Sequence, residues 1–158
     1  MKRKGFTLVE LLIVIGVMGT LSALAMTAGQ EATDAAKATN IADGLEKASI
    51  AMMAYYADNS DTIDVSGAKV ADVVTGANAY LKVALVTNSA IAEGKYAVAL
   101  SKEDDKAATW WVGYKLAKTD GNVGKVLQNK KTRMGLRKAI TSKTDDYDGT
   151  ALVYMQVR

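Results

Sequence analysis

Apolar residues fill the start of the chain with almost no interruption. Phe6-Thr7-Leu8-Val9-Glu10 opens a run that continues to Met26, broken thereafter only by Gly, Thr and Ser. These 21 residues, wound as a helix rising about 1.5 Å per residue, span roughly 30 Å, the thickness of a bilayer's hydrocarbon core. From Thr27 the pattern changes. Ala38, Ile41, Leu45, Ala48, Met52 and Tyr55 recur at spacings of three and four, which lines up one apolar face, while Glu31, Asp34, Lys37, Asp43, Glu46 and Lys47 fall largely on the others. No turn signal interrupts this pattern before Asp58-Asn59-Ser60-Asp61. One continuous helix from Phe6 to Ala57 is expected, roughly 78 Å long, with residues 6–27 in a membrane and 28–57 packed on a domain. Gly44 reads as a soft point within it, costing about 1 kcal/mol relative to Ala.

Beyond the turn, Thr62-Ile63-Asp64-Val65 fits no single element, and 68–75 and 77–86 read as short helices broken by Gly76. Tyr96-Ala97-Val98-Ala99-Leu100 and the aromatic, β-branched stretch 109–116 are strands, joined as a hairpin by Glu103-Asp104-Asp105-Lys106. Asp120-Gly121-Asn122 precedes a helix expected over 123–140, with Val126, Leu127, Met134 and either Leu136 or Arg137 inward. After the turn Asp145-Asp146-Tyr147-Asp148-Gly149, residues 151–157 form a closing strand. The fold class is α+β: a long N-terminal helix against a three-stranded antiparallel sheet, with helices in the connections. Adjacent Trp110 and Trp111 must point to opposite faces of their strand. With Tyr55 and Tyr56 they read as core and interface residues.

The cations Lys2, Arg3 and Lys4 ahead of the apolar run hold the N-terminus on the cytoplasmic side and place everything after Met26 across the membrane. A secretory signal also begins basic and turns apolar. Ala23-Leu24-Ala25 would be its cleavage site, leaving a secreted soluble protein, and an uncut signal anchor is a further alternative. Neither explains Glu10. A carboxylate in a membrane helix costs up to about 2.5 to 3.5 kcal/mol at the bilayer centre and usually has a partner. Cutting between Gly5 and Phe6 would supply one, an α-amino cation one turn away or on a neighbouring copy.

Lys4-Gly5-Phe6-Thr7-Leu8-Val9-Glu10-Leu11-Leu12-Ile13-Val14-Ile15 resembles the class III leader and N-terminal helix of type IV pilins and type II secretion pseudopilins. The resemblance covers residues 2 to 26. It implies a leader of residues 1–5, cleavage after Gly5 by a prepilin peptidase, methylation of the Phe6 amine, and assembly through Thr7, Leu8 and Glu10. Glu10 would neutralise the N-terminal amine of an adjacent subunit. It also implies a pilus assembly platform as partner, the inner membrane as the site before assembly with the C-terminus outside, and a helical homo-oligomer at the cell surface afterwards. Pilins commonly carry a Pro near the position of Thr27, where the helix loosens in the filament. This chain has no Pro, so Gly16, Gly19 and Gly29 are the residues that would soften it. Many pilins also have a C-terminal disulfide; this chain has no Cys and must hold its C-terminal region by packing.

At 158 residues the chain allows one membrane helix and about 100 to 130 residues for a single modest core, residues 58–158 forming most of the head. Its 20 Lys and Arg exceed its 17 Asp and Glu by the three cations of the leader. The mature side chains therefore sum to zero, and the basic pI is poor support for a nucleic-acid partner. Without His or Cys, thiolate chemistry and His-containing metal sites are excluded. The remaining charge is unevenly distributed. Residues 28–105 hold twelve acids and six Lys, and residues 106–158 hold eleven cations and four acids. An acidic surface on one subunit meeting a basic C-terminal region on the next would be a repeating heterologous contact, the kind that yields open helical assemblies.

Lys125, Lys130, Lys131, Arg133, Arg137, Lys138 and Lys143 form the sharpest basic cluster, a candidate for subunit or DNA contact, though no aromatic platform is interleaved with it. Asp145, Asp146 and Asp148 are oxygen ligands of the type calcium takes, and related pseudopilins have a calcium site in their C-terminal loops. The EF-hand spacing is not met, so a solvated turn is the reading and no metal or cofactor is assigned. Ser66-Gly67-Ala68-Lys69 lacks the companion motifs of Ser-x-x-Lys enzymes, and Gly121-Asn122-Val123-Gly124-Lys125 lacks the Walker spacing. No enzyme is expected. The reading is a structural subunit, the major pilin of a type IV pilus-like filament. A type II secretion pseudopilin and a DNA-binding minor pilin of a competence system are the alternatives.

Overall fold

A computed structural model of the chain describes residues 6–59, 70–81, 86–87, 93–101, 109–138, 147–149 and 152–157. The expectations for the leader, for 62–65, for Ser66 to Lys69, for the turn at 103–106, and for Lys143, Asp145 and Asp146 lie outside these residues.

The apolar run and the amphipathic stretch form one helix, α1 (Leu8–Asp58), of 51 residues, about 77 Å long. It starts two residues later than expected because Thr7 is extended (φ −79°, ψ 152°) and caps it. Residues 6–33 are exposed throughout; the first buried side chain is Ala38. The helix then buries the stripe read from the sequence, Ala38, Ile41, Leu45, Ala48 and Met52, with Tyr55 half-buried behind it. The head therefore begins where the three-and-four spacing begins to be used.

Three helices lie side by side on one face of the sheet: α1 in the middle, α2 (Val70–Ala79) on one flank and α3 (Gly121–Met134) on the other. Facing them is a five-stranded sheet of β1 (Val86–Thr87), β2 (Tyr96–Ser101), β3 (Thr109–Lys115), β4 (Leu136–Arg137) and β5 (Leu152–Gln156), in the order β1-β2-β3-β5-β4. The three expected strands are its antiparallel centre, with β2 and β3 paired as a hairpin, Val98 opposite Val112, and Val112 opposite Met155 of β5. Two strands of two residues were not expected. One, β1, lies parallel to β2, and the other, β4, lies antiparallel to β5.

Both come from segments read as helix. The helix expected over 123–140 stops at Met134 because Gly135 takes the left-handed conformation (φ 63°) and closes it, its N–H donating to the Lys131 carbonyl. Leu136, expected on the inner face of that helix, is instead buried as a strand residue. On the other flank, α2 runs through Gly76 without a break and ends at Ala79, and Val86 belongs to β1.

Gly76 is there to be approached closely. A Cβ on it would lie 2.0 Å from the Tyr55 ring of α1. Gly44 is the same device in α1, its missing Cβ leaving room for the Tyr96 hydroxyl at 2.0 Å. That hydroxyl donates to the carbonyls of Asn40 and Ile41, 3.3 and 3.4 Å away. Two glycines that read from sequence as weak points are thus the seats of two rings locking α1 to α2 and to the sheet. Tyr80 adds to the first lock, edge-on to Tyr55 at 6.4 Å with its hydroxyl bonded to Asp58.

Trp110 and Trp111 are both 1% exposed. The pleat sends Trp110 with Val112 into the helix-facing core, and Trp111 to the opposite face, on the side of Ala97 and Tyr154. Neither indole N–H has a hydrogen-bond partner among the described residues. The burial of both makes them packing residues, not a docking platform.

Candidate assembly site

The projecting part of α1 carries the expected assembly residues, and their local geometry follows from one spacing. Thr7-Leu8-Val9-Glu10 is a Thr-x-x-Glu capping box, in which cap and third helical residue satisfy each other's backbone donors. The Thr7 N–H and the Thr7 hydroxyl both donate to Glu10 Oε2, at 2.8 and 2.9 Å. The Glu10 N–H donates back to Thr7 Oγ1 at 3.3 Å. The carboxylate is therefore held at the helix tip, where the macrodipole favours negative charge. Its Oε1 accepts no bond from the described residues, so one oxygen is left to receive a further donor. The charge of Glu10 alone points to a cationic partner; the Thr-x-x-Glu spacing is the sequence signal of this local one.

Leu8 shares this tip at 79% exposed, and Phe6 at 83%. From there to Met26 every large apolar side chain is exposed, with a mean hydropathy of 2.2 over the most apolar stretch. This is length and composition enough to cross a bilayer. None of the described residues covers that surface.

The signature described as "Prokaryotic N-terminal methylation motif" matches residues 1–26, the stretch that holds this capping box and the apolar run. That match supports the type IV pilin family. A fimbrial protein of Moraxella nonliquefaciens is 40% identical to this chain over 81 residues, covering 47% of the chain and 49% of the relative. The chain thus spans about half the length of the curated relative it matches. No solved structure matches it significantly.

The basic cluster of the chain does not form one face. Because α3 ends at Met134, Arg137 sits on β4 and Lys138 beyond it, where Lys138 pairs with Asp148 at 3.4 Å. Asp148, the one calcium candidate among the described residues, is thereby engaged with a cation. Lys125 is exposed on α3, and Lys131 lies in its last turn. Lys130 and Arg133 instead line a concavity of about 500 Å³ between α3 and α1. Lys130 crosses it to donate to the Thr39 hydroxyl at 3.0 Å, and Lys37 of α1 reaches Asp120 at the start of α3 at 3.1 Å. The α1 wall of the concavity carries Asp43 and Glu46, and its apolar surface includes Ile50, Met53, Met134 and Met155. Two acids from the acidic half of the sequence and two cations from the basic half therefore line one groove of a single copy.

Proposed function

We propose that this chain is the major structural subunit of a type IV pilus-like fibre. It is made as a membrane protein with its head outside, cut after Gly5, methylated on the Phe6 amine, and drawn into a helical assembly in which the Glu10 carboxylate cancels the amine of a neighbouring copy. One observation carries this reading: an apolar helix of membrane length that the described residues of the head leave uncovered, with a carboxylate at its tip one of whose oxygens accepts no bond from them. Such a surface needs lipid or copies of itself to bury it. A buried carboxylate needs a cation beside it. The curated relative's description as a fimbrial protein favours a fibre over a secretion pseudopilin.

Mass spectrometry of the surface-exposed protein should give a chain starting at Phe6 and heavier by one methyl group, and electron microscopy of sheared surface material should show fibres. Glu10→Leu should leave the chain in the membrane at normal abundance and abolish the fibres. An intact Met1 on the surface-exposed protein, or normal fibres from Glu10→Leu, would overturn the proposal.

A further inference from the structure

The α1 wall of the concavity between α1 and α3 is polar at one end and apolar at the other. Thr39, Asp43 and Glu46 come first along it and Ile50 and Met53 last, a change of character over roughly 21 Å of helix. Lys130 is fixed at the polar end by its bond to the Thr39 hydroxyl at 3.0 Å. Met134 of α3 and Met155 of β5 add thioethers to the lining. The charges cancel, Asp43 and Glu46 against Lys130 and Arg133. Asp43 pairs with Lys47 at 3.4 Å, but Glu46 and Arg133, both exposed, form no ion pair among the described residues. Ser49 lies between the two ends of the wall. It lines the concavity at only 4% exposed, and its hydroxyl makes no hydrogen bond with the described residues. A buried hydroxyl left unpaired is costly, so this one points to a partner that those residues do not supply.

An occupant that answers these features carries both signs of charge at one end of an apolar body. An anion alone would meet Asp43 and Glu46, and a cation alone would meet Lys130 and Arg133. An uncharged apolar molecule would take water from four charged groups and give nothing back. We propose that this concavity binds a free α-amino acid with a large apolar side chain, its ammonium set against Glu46 and its carboxylate against Arg133. The guanidinium fork suits a carboxylate, which can take two parallel hydrogen bonds from it. Ser49 supplies a further hydroxyl donor to the same ligand. The ligand's side chain lies against Met53, Met134 and Met155, whose flexible thioethers adapt to what they cover and favour aromatic rings. At about 500 Å³ the space falls in the range of roughly 300 to 1,000 Å³ usual for small-molecule sites. The inference concerns the head alone and does not need the chain to assemble.

Methionines placed in the concavity and far from it make the test internal. Met53, Met134 and Met155 line the concavity, while Met18 and Met26 are exposed on the projecting part of α1. The full chain, carrying methyl-labelled methionine and held in detergent micelles, is titrated with phenylalanine and followed by NMR. The methyl signals of Met53, Met134 and Met155 should move saturably and those of Met18 and Met26 should stay. N-acetylphenylalanine, which lacks the ammonium, and phenylalanine amide, which lacks the carboxylate, should each bind several-fold more weakly. Glu46→Gln should remove the preference over the acetylated form, and Arg133→Gln the preference over the amide. Both variants change exposed side chains, so the core is left as it is. No saturable movement, equal movement at Met18 and Met26, equal binding of the capped forms, or preferences that survive both substitutions would overturn the proposal. Saturable binding by a chain that never forms fibres would leave this inference standing while the fibre reading fails, and fibres without binding would do the reverse.

Discussion

Tyr96 shows how much of this head is decided by single side chains meeting single gaps. Its ring occupies the space a Cβ at position 44 would take, so Gly44→Ala sets a gain in helix propensity of about 1 kcal/mol against overpacking that typically costs about 1 to 3 kcal/mol. The ring is pinned by its hydroxyl on two carbonyls and by Tyr114 at 4.8 Å, so the clash should win. Denaturant unfolding should show Gly44→Ala less stable than the parent. Gly29→Ala, with nothing within 4 Å, should show no loss.

The same burial makes tyrosines the pH-sensitive groups of the head. Removal from water pushes Tyr96 up to about 12, with Tyr114 and Asp43 adding to the effect, and pushes Tyr147 to about 12 with help from Asp148. A phenol whose folded value lies above its unfolded value of about 10 keeps its full contribution below pH 10. It loses that contribution as the pH rises towards 12, because only the unfolded chain gives up the proton cheaply. Stability should therefore decline between pH 10 and 12, and Tyr96→Phe should flatten that decline when unfolding is followed by phenolate absorbance. With no His in the chain, no side chain has an ordinary value near neutrality.

Among elements, long periodic segments were legible and their interruptions were not. The burial stripe of α1 and the three central strands follow from three-and-four spacing and from alternation, and both survive in the fold. The misreadings cluster at glycines. Gly76 has the local signature of a breaker, whereas tertiary contact with Tyr55 gives it a place inside a helix. Gly135 lies inside a stretch of helical spacing, yet it is where α3 ends and β4 begins. At the helix tip the charge of Glu10 points to a distant cation, while its spacing from Thr7 satisfies it locally. Gly135 offers the sharpest check at this scale. A left-handed residue with a Cβ costs roughly 1 to 2 kcal/mol, so Gly135→Val should destabilise the head by at least that amount. Gly135→Asn should cost less, since Asn tolerates this conformation. Chemical denaturation of the two variants side by side would test the order.

At the scale of the whole molecule the chain is two objects sharing one helix. Residues 6–33 are exposed and contribute no buried side chain to the head, whose core starts at Ala38. A chain beginning at Ala28 should fold with unfolding free energy within about 0.5 kcal/mol of the parent, and should stay in solution without detergent. A large loss of stability in that truncation would mean that the projecting segment supports the head. The charge pattern is visible as a split between sequence halves, but only the fold shows that Asp43 and Glu46 of one half and Lys130 and Arg133 of the other line one groove. Strand pairing and helix packing, which no local pattern encodes, put them there.

The ring seats also bear on how this sequence can drift over generations. A side chain gained at position 44 is tolerable only if position 96 has already surrendered its ring, and positions 55 and 76 are bound by the same rule. Each pair is in effect one hereditary unit split across distant parts of the gene. Among descendants of this chain, the two members of a pair should be found exchanged together or not at all.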